Sequence, residues 1–183
     1  MALVQSKGMK LGTSAPPFSL PGVDGKTWSL DDFADAKALV VVFTCNHCPY
    51  AIAAEERLVE LQRDYEGKGV RVVAINPNDA GRYPADSFDA MKVRAKERGF
   101  NFPYVVDASQ EVARAYDAAC TPDIFVFDGD RKLVYNGRLD DNWKNPAAVT
   151  RQDLRSVLDA TLAGSTFGFD PVPAMGCSIK WKA

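Results

Sequence analysis

The stretch ALVVVFTCNHCPY, residues 38 to 50, places two cysteines directly behind a run of apolar residues. The run from Ala38 to Phe43 is continuously apolar and rich in β-branched residues, which predicts a strand buried on both faces. Pro49 suits the first helical position, because its missing N–H has no intrahelical acceptor to lose there. The stretch therefore predicts a strand, a turn that carries Cys45 and Cys48, and a helix that begins near Pro49.

Strands and helices alternate on either side of this stretch. The predicted elements are a hairpin around Asp24-Gly25, a helix to Glu66, a strand 70–75, a helix that Asp86 or Ser87 caps and Gly99 ends, a strand 104–106, a short helix 110–116, a hairpin around Asp128-Gly129 and a helix to Ala163 that a capping box of Thr150 and Asp153 opens. This order predicts one α/β domain over residues 1–183. Residues 165–183 are rich in Gly and Pro, and we expect them to pack back on the domain as an extended tail.

Composition restricts the function classes. The chain has 183 residues, 46% of them hydrophobic and 25% charged, which is typical of a soluble globular domain. The formal net charge is −2 and Lys and Arg form no run, so we expect neither a nucleic-acid nor a membrane partner. The first residues contain no apolar stretch of signal-peptide length, which favours a cytoplasmic location. Thiols stay reduced there, so the four cysteines are not expected to form a disulfide scaffold.

The C-x-x-C pair has three chemical interpretations: a metal site, an inert buried pair and a redox dithiol. Structural zinc takes four ligands, but His47 is the only histidine and Cys120 and Cys177 are single and far apart in the sequence. We therefore expect no metal and no other cofactor. An inert pair is the second alternative, because cysteines often serve as small hydrophobic residues. The position at a helix start favours the redox dithiol.

A dithiol that exchanges with a disulfide needs one accessible thiolate and a second thiol that resolves the mixed disulfide. The N-terminus of a helix favours a sulfur anion through its free N–H groups and its dipole. We predict that Cys45 is the exposed attacking thiol with a lowered pKa and that Cys48 is the buried resolving thiol. His47 between them is expected to favour the thiolate further.

Three motifs together resemble the redoxin superfamily of thioredoxin-like proteins, which includes alkyl hydroperoxide reductases and thiol-specific antioxidants. They are GTSAPPFSLPGVDGKTWSLDDF (residues 12–33), the C-x-x-C stretch, and FPYVVDASQEVARAYDAACTPDIFVFD (residues 102–128). The ending GCSIKWK is similar to a bacterial thioredoxin-like or peroxiredoxin-like subgroup. The resemblance implies a thioredoxin-like fold, with a central mixed β-sheet flanked by helices and an N-terminal β-hairpin extension.

The resemblance also implies an activity and a site. The implied activity is thiol–disulfide exchange with a protein or small-molecule disulfide, with a thioredoxin-type or low-molecular-weight thiol as electron donor. It implies a cis-Pro122 beside the dithiol, with the Thr121 backbone free to hydrogen-bond an extended substrate by strand addition. Thr44, which stands where thioredoxin has a Trp, joins Thr121 and Pro122 as an expected substrate contact.

Two other functions stay open at this stage. The first is a thiol-dependent peroxidase. Aligned on Cys48, however, the peroxiredoxin pattern P-x-x-x-T-x-x-C would need Pro and Thr where this chain has Val41 and Cys45. The second is a binding module that keeps the fold without redox turnover. The chain also has Leu39 where thioredoxin has a buried Asp, so proton transfer from Cys48 must use water or another group.

Several polar residues and the two remaining cysteines are weaker candidates. Cys120 and Cys177 are hypothesised as additional redox thiols, and Cys177 as one that pairs with another thiol. Asn76, Asn78 and Asp79 follow a strand end, where α/β proteins place functional loops, although a solvated turn is the favoured interpretation. Arg138 and Asp140 follow the hairpin and have two interpretations: an approach to the active-site face, or a surface ion pair, which is the favoured one.

Overall fold

The computed structural model describes residues 3–183 and confirms the predicted thioredoxin-like fold. The strands are Leu3–Gln5 (β1), Ser19–Pro21 (β2), Thr27–Ser29 (β3), Ala38–Phe43 (β4), Val70–Asn76 (β5), Tyr104–Val106 (β6), Cys120–Thr121 (β7), Asp123–Asp128 (β8), Leu133–Gly137 (β9) and Met175–Ser178 (β10). The α-helices are Pro49–Tyr65 (α1), Phe88–Glu97 (α2), Glu111–Ala115 (α3) and Asp153–Leu162 (α4). Within this range no helix is both long and apolar enough to cross a membrane.

The central sheet has five strands in the order β6-β5-β4-β8-β9. β4 lies in its middle, parallel to β5 and antiparallel to β8. Every residue of β4 is buried, because alternate side chains enter the two hydrophobic layers that cover the sheet. Burial of one large apolar side chain stabilises a fold by about 1.5–3 kcal/mol. The packing therefore fixes the C-terminal end of β4, and with it the position of the turn that contains Cys45.

Two layers of apolar side chains enclose this sheet. On one face, Val40 and Val42 pack in a cluster with residues of α1, α2 and α4. On the other face, Leu39, Val41 and Phe43 pack with residues of the β2–β3 hairpin and α3, and Ile179 of the tail joins this cluster. The tail is therefore part of the hydrophobic core.

A second sheet of three antiparallel strands has the order β1-β10-β7. Its middle strand, β10, belongs to the C-terminal tail, and Cys177 lies opposite Leu3 on one side and Thr121 on the other. Gly176 permits this packing, because a Cβ atom there would lie 2.0 Å from the Thr121 carbonyl oxygen. The sheet joins both ends of the described chain to the segment that precedes Pro122.

Most of the predicted elements are confirmed, including both hairpins, with β4 and β6 at the predicted bounds. The predicted capping box of α4 is wrong. Gln152 is the N-cap residue, Thr150 hydrogen-bonds to Asp141, and Asp153 pairs with Arg151. A buried carboxylate beside an arginine gains more from that ion pair than from a cap exposed to water.

Candidate active site

Cys48 and Pro49 form the start of α1, as the sequence predicts. Cys48 is the N-cap residue with extended backbone angles, and Pro49 is the first helical residue. Cys45 lies in the turn between β4 and α1. Cys45 is 2% exposed and Cys48 0%, so both sulfurs are enclosed in this conformation. The prediction of an exposed Cys45 is wrong.

Thr121 contacts both cysteines of the pair. Its hydroxyl Oγ1 lies 3.3 Å from the Cys45 Sγ. Its carbonyl oxygen accepts a hydrogen bond from the Cys48 thiol at 3.1 Å. The Thr121–Pro122 peptide bond is cis, in agreement with the prediction. The fold thus brings Thr121 to the dithiol from 73 residues away in the sequence.

The backbone of Thr121 is not open to an extended substrate in this structure. It pairs with Cys177 of β10, so the chain's own tail occupies the position at which strand addition was predicted. Thr44 does not present an open edge either. It is buried, and its backbone N–H donates to the Ile75 carbonyl at 2.9 Å.

His47 is held by Asp86, a residue that the sequence suggested only as a helix cap. The His47 Nδ1 lies 2.6 Å from the Asp86 Oδ2, and the imidazole stacks on Tyr83 with ring centroids 5.4 Å apart. Asp86 also accepts a hydrogen bond from the Asn46 backbone N–H at 2.7 Å. Ser87 caps α2 instead, accepting from the Ala90 N–H. Asp86 is therefore a buried carboxylate of the site.

Asn76 and Asn78 support this carboxylate. The Asn78 side chain donates to the Asp86 Oδ2 at 2.9 Å, and the Asn76 side chain donates to the Asp86 Oδ1 at 3.3 Å. Both asparagines are buried, as is Asp79, whose backbone N–H donates to the Lys180 carbonyl of the tail. The interpretation as a solvated turn is therefore wrong. A buried carboxylate without such donors would be costly, which explains the concentration of amides here.

Cys45, His47 and Asp86 each bring one potential ligand atom within 4.8 Å of the others. His47 and Asp86 are separated by a hydrogen-bond distance, 2.6 Å, and donors on one tetrahedral ion lie farther apart than that. The two side chains would have to separate before both held a metal. As arranged, they form a hydrogen-bonded pair beside Cys45.

The two thiols of the pair shift each other's pKa in opposite directions. The Cys45 thiol, followed by the Cys177 thiol and the Ala51 N–H, lowers the pKa of Cys48 against the opposing effect of burial. The shared hydrogen with Cys48, then burial, then the negative charge of Asp86 raise the pKa of Cys45 far above its ordinary value. The predicted lowering of the Cys45 pKa is therefore wrong. The N-terminus of α1 stabilises a negative charge on Cys48, its N-cap residue, rather than on Cys45, which lies three positions earlier.

Comparison with known proteins identifies the family of this chain. The Redoxin family profile matches residues 10–158. The chain belongs to the Redoxin family. Residues of this redoxin are 28% identical over 127 positions to the thiol-disulfide oxidoreductase ResA of Bacillus thuringiensis subsp. konkukian (strain 97-27), covering 69% of this chain and 68% of that protein.

Two solved structures resemble this redoxin over almost its whole length. One is an uncharacterized conserved protein from Geobacillus kaustophilus, with 49% identity, a TM-score of 0.95 and coverage of 100% of this chain and 97% of that one. The other is a hypothetical protein from Sinorhizobium meliloti 1021, with 46% identity, a TM-score of 0.93 and coverage of 98% of both chains. Both likenesses bear on the fold.

The two remaining cysteines of this redoxin have different surroundings. Cys177 packs in one cluster with Cys45, Cys48 and Ala51, although the sequence places it far from them. Burial, followed by the adjacent Cys48, raises the pKa of Cys177 to about 12. Cys120 instead directs its sulfur at two backbone carbonyls, those of Pro122 at 3.5 Å and Ala174 at 3.8 Å.

A cavity of about 200 Å³ lies beside the dithiol helix, between α1, Pro122 and the tail. Tyr50 and Trp143 line it and pack together, with ring centroids 4.0 Å apart. Arg138 and Asp140 also line it, but the predicted ion pair between them is wrong. Arg138 pairs with Asp153, and Asp140 pairs with Arg57 of α1.

Proposed function

We propose that this redoxin is a thiol–disulfide oxidoreductase in which Cys45 and Cys48 exchange with a protein or small-molecule disulfide. The observation that carries the proposal is the contact of Thr121 with both sulfurs at the N-terminus of α1. The similarity to the thiol-disulfide oxidoreductase ResA supports the same reaction class. Cys45 and Cys48 also pack in one cluster, which supports their acting as an exchanging pair.

The exchange begins with proton transfer within the pair. Cys45 gives its proton to the Cys48 sulfur and attacks one sulfur of the substrate disulfide, which breaks that bond and leaves the other substrate sulfur as a thiolate. That thiolate takes the proton from Cys48. Cys48 then attacks the Cys45 sulfur, forming the Cys45–Cys48 disulfide and releasing the second substrate thiolate. Two electrons pass from the dithiol to the substrate.

The reverse exchange with a reducing thiol restores the dithiol. We propose a thioredoxin-type or low-molecular-weight thiol for this step, and a cytoplasmic location where such donors are abundant. No nucleic-acid or membrane partner is part of the proposal.

A paired assay tests the proposal with purified protein. One arm measures reduction of a model protein disulfide with dithiothreitol as donor, and the other measures consumption of hydrogen peroxide with the same donor. We expect disulfide turnover that Cys48→Ser abolishes and that Cys120→Ser preserves. Absence of turnover in both arms would support the binding-module alternative.

A thiol-dependent peroxidase is the second candidate, and the lowered pKa of Cys48 favours it. A thiolate followed by proline, as in Cys48-Pro49, is also what the peroxiredoxin pattern places at its reactive position. In that reaction Cys48 attacks one oxygen of hydrogen peroxide, the O–O bond breaks, and the other oxygen leaves as water. The resulting sulfenic acid condenses with the Cys45 thiol to a disulfide and releases a second water. Turnover with peroxide but not with a disulfide would select this candidate.

A further inference from the structure

The tail strand β10 lies where an extended substrate was expected to bind. It runs antiparallel to β7, and its residue opposite Thr121 is a cysteine, Cys177. Thr121 also contacts the sulfurs of Cys45 and Cys48. A disulfide-bearing partner that added a strand here would bring its cysteine to the same neighbourhood. The chain therefore supplies its own strand and its own cysteine at this position.

Three observations distinguish Cys177 from a buried cysteine that only fills space. Its side chain belongs to the same packed cluster as Cys45 and Cys48, and its thiol stabilises the anionic form of Cys48. The absence of a side chain at Gly176 lets β10 approach the Thr121 carbonyl closely. β1 covers the opposite edge of β10 and holds it in place.

We propose that Cys177 is a third redox thiol of this site, an internal counterpart of a substrate cysteine that exchanges with the Cys45–Cys48 disulfide. The proposal rests on the redox role proposed above for Cys45 and Cys48. In the exchange, the deprotonated Cys177 sulfur attacks the Cys48 sulfur. The Cys48–Cys177 bond forms, the Cys45–Cys48 bond breaks, and its electron pair leaves on Cys45, which takes the proton that Cys177 gave up.

This step needs no external oxidant, because one disulfide replaces another. Its product joins the tail to the N-terminus of α1 and returns Cys45 to the thiol form. The oxidising equivalents are then held between Cys48 and Cys177. The step is reversible, because the Cys45 thiol can attack the Cys48 sulfur and restore the Cys45–Cys48 disulfide.

The test uses Cys45→Ser, which leaves Cys48 and Cys177 as the adjacent pair, with oxidised glutathione as the probe. After an acid quench, peptide mass mapping under non-reducing conditions identifies the linked cysteines. We expect most molecules to carry a Cys48–Cys177 disulfide. In Cys45→Ser/Cys177→Ser we expect a lasting glutathione adduct on Cys48 instead.

Cys45→Ser/Cys120→Ser is the matched control, because Cys120 is equally buried on the paired strand but directs its sulfur at carbonyl groups. It is expected to form the same disulfide as Cys45→Ser. Near-ultraviolet circular dichroism checks that each variant is folded. Any folded Cys45→Ser protein in which Cys177 stays a free thiol after oxidation overturns the proposal.

An experiment on the wild-type protein distinguishes the role of Cys177 from the proposed activity of Cys45 and Cys48. In a glutathione redox buffer, we expect a Cys48–Cys177 species beside the Cys45–Cys48 species. Reduction of a model protein disulfide without any Cys48–Cys177 species would overturn the role of Cys177 alone. A Cys48–Cys177 species without turnover of a disulfide substrate would overturn the proposed activity, and the proposal that Cys177 is a redox thiol would stand.

Discussion

Replacement of Gly176 by alanine should open the site without removing any sulfur. The added Cβ would lie 2.0 Å from the Thr121 carbonyl oxygen and 2.7 Å from the Thr121 carbonyl carbon. Both neighbours are backbone atoms, which no rotamer change can move aside. We expect β10 to shift away from β7 and expose Cys45 and Cys48, which are 2% and 0% exposed in the closed form.

The size of the effect follows from the cost of the clash. Forcing an extra methyl group into a packed site costs about 1–3 kcal/mol. If the strand opens and closes faster than a reagent reacts, the alkylation rate follows the open population. That cost then raises the alkylation rate of Cys45 and Cys48 by about 5- to 150-fold, because each 1.4 kcal/mol is tenfold.

The assay is iodoacetamide labelling of the reduced protein with timed quenching and peptide mass mapping. Gly168→Ala is the matched control, because it lies in the same tail with open space around its Cβ position and no left-handed backbone angle. Circular dichroism and a denaturant titration check that both variants are folded. Equal labelling rates in folded Gly176→Ala and Gly168→Ala proteins would refute the reasoning.

Three further predictions concern the charges and roles of the dithiol. Cys48→Ser should accumulate a stable mixed disulfide on Cys45 with a substrate, seen on non-reducing gels, and trapping by Cys45→Ser alone would instead assign attack to Cys48. A lowered pKa stabilises the fold above the ordinary thiol pKa, and this stability is lost as pH falls through the lowered value. In denaturant titrations, the free energy of unfolding of the wild type minus that of Cys48→Ser should therefore grow from pH 6 to pH 9. A decrease of this difference would contradict the lowered pKa of Cys48. Asp86→Asn removes a negative charge that raises the pKa of Cys45, so in a Cys48→Ser background the alkylation profile of Cys45 should move to lower pH, and an upward shift would contradict this electrostatic role.

The central fold was readable from the sequence because its signals are local. An unbroken apolar run such as Ala38 to Phe43 has few other solutions, and Asp-Gly turns mark both hairpins. The short strands β1 and β7 escaped prediction, and β10 was expected only as an extended tail without a pairing partner, since two to four residues carry too little periodicity to distinguish strands from loops. Their pairing joins segments that are far apart in the sequence.

The site was predictable in its sulfur chemistry and much less in its surroundings. The C-x-x-C spacing and the residues Thr121-Pro122 point to a dithiol beside a proline loop. Asp86 did not stand out, because an aspartate before a helix is normally a cap and its contact with His47 spans 39 residues. The polar residues Asn76, Asn78 and Asp79 after the strand end were the available signal, since amide side chains also solvate a buried carboxylate.

β10 is the middle strand of its three-stranded sheet, so access to the dithiol depends on the chain segments that hold β10 in place. β10 pairs with both β7 and β1, so its separation from Thr121 either moves β1 as well or breaks the pairing between β1 and β10. Both strands are disturbed in either case, and they therefore form one unit of local unfolding. Amide hydrogen exchange in Leu3–Gln5 and Met175–Ser178 should then be correlated, with a common opening free energy. Access to the sulfurs becomes a matter of how often a small structural unit melts, rather than of the shape of a fixed cleft.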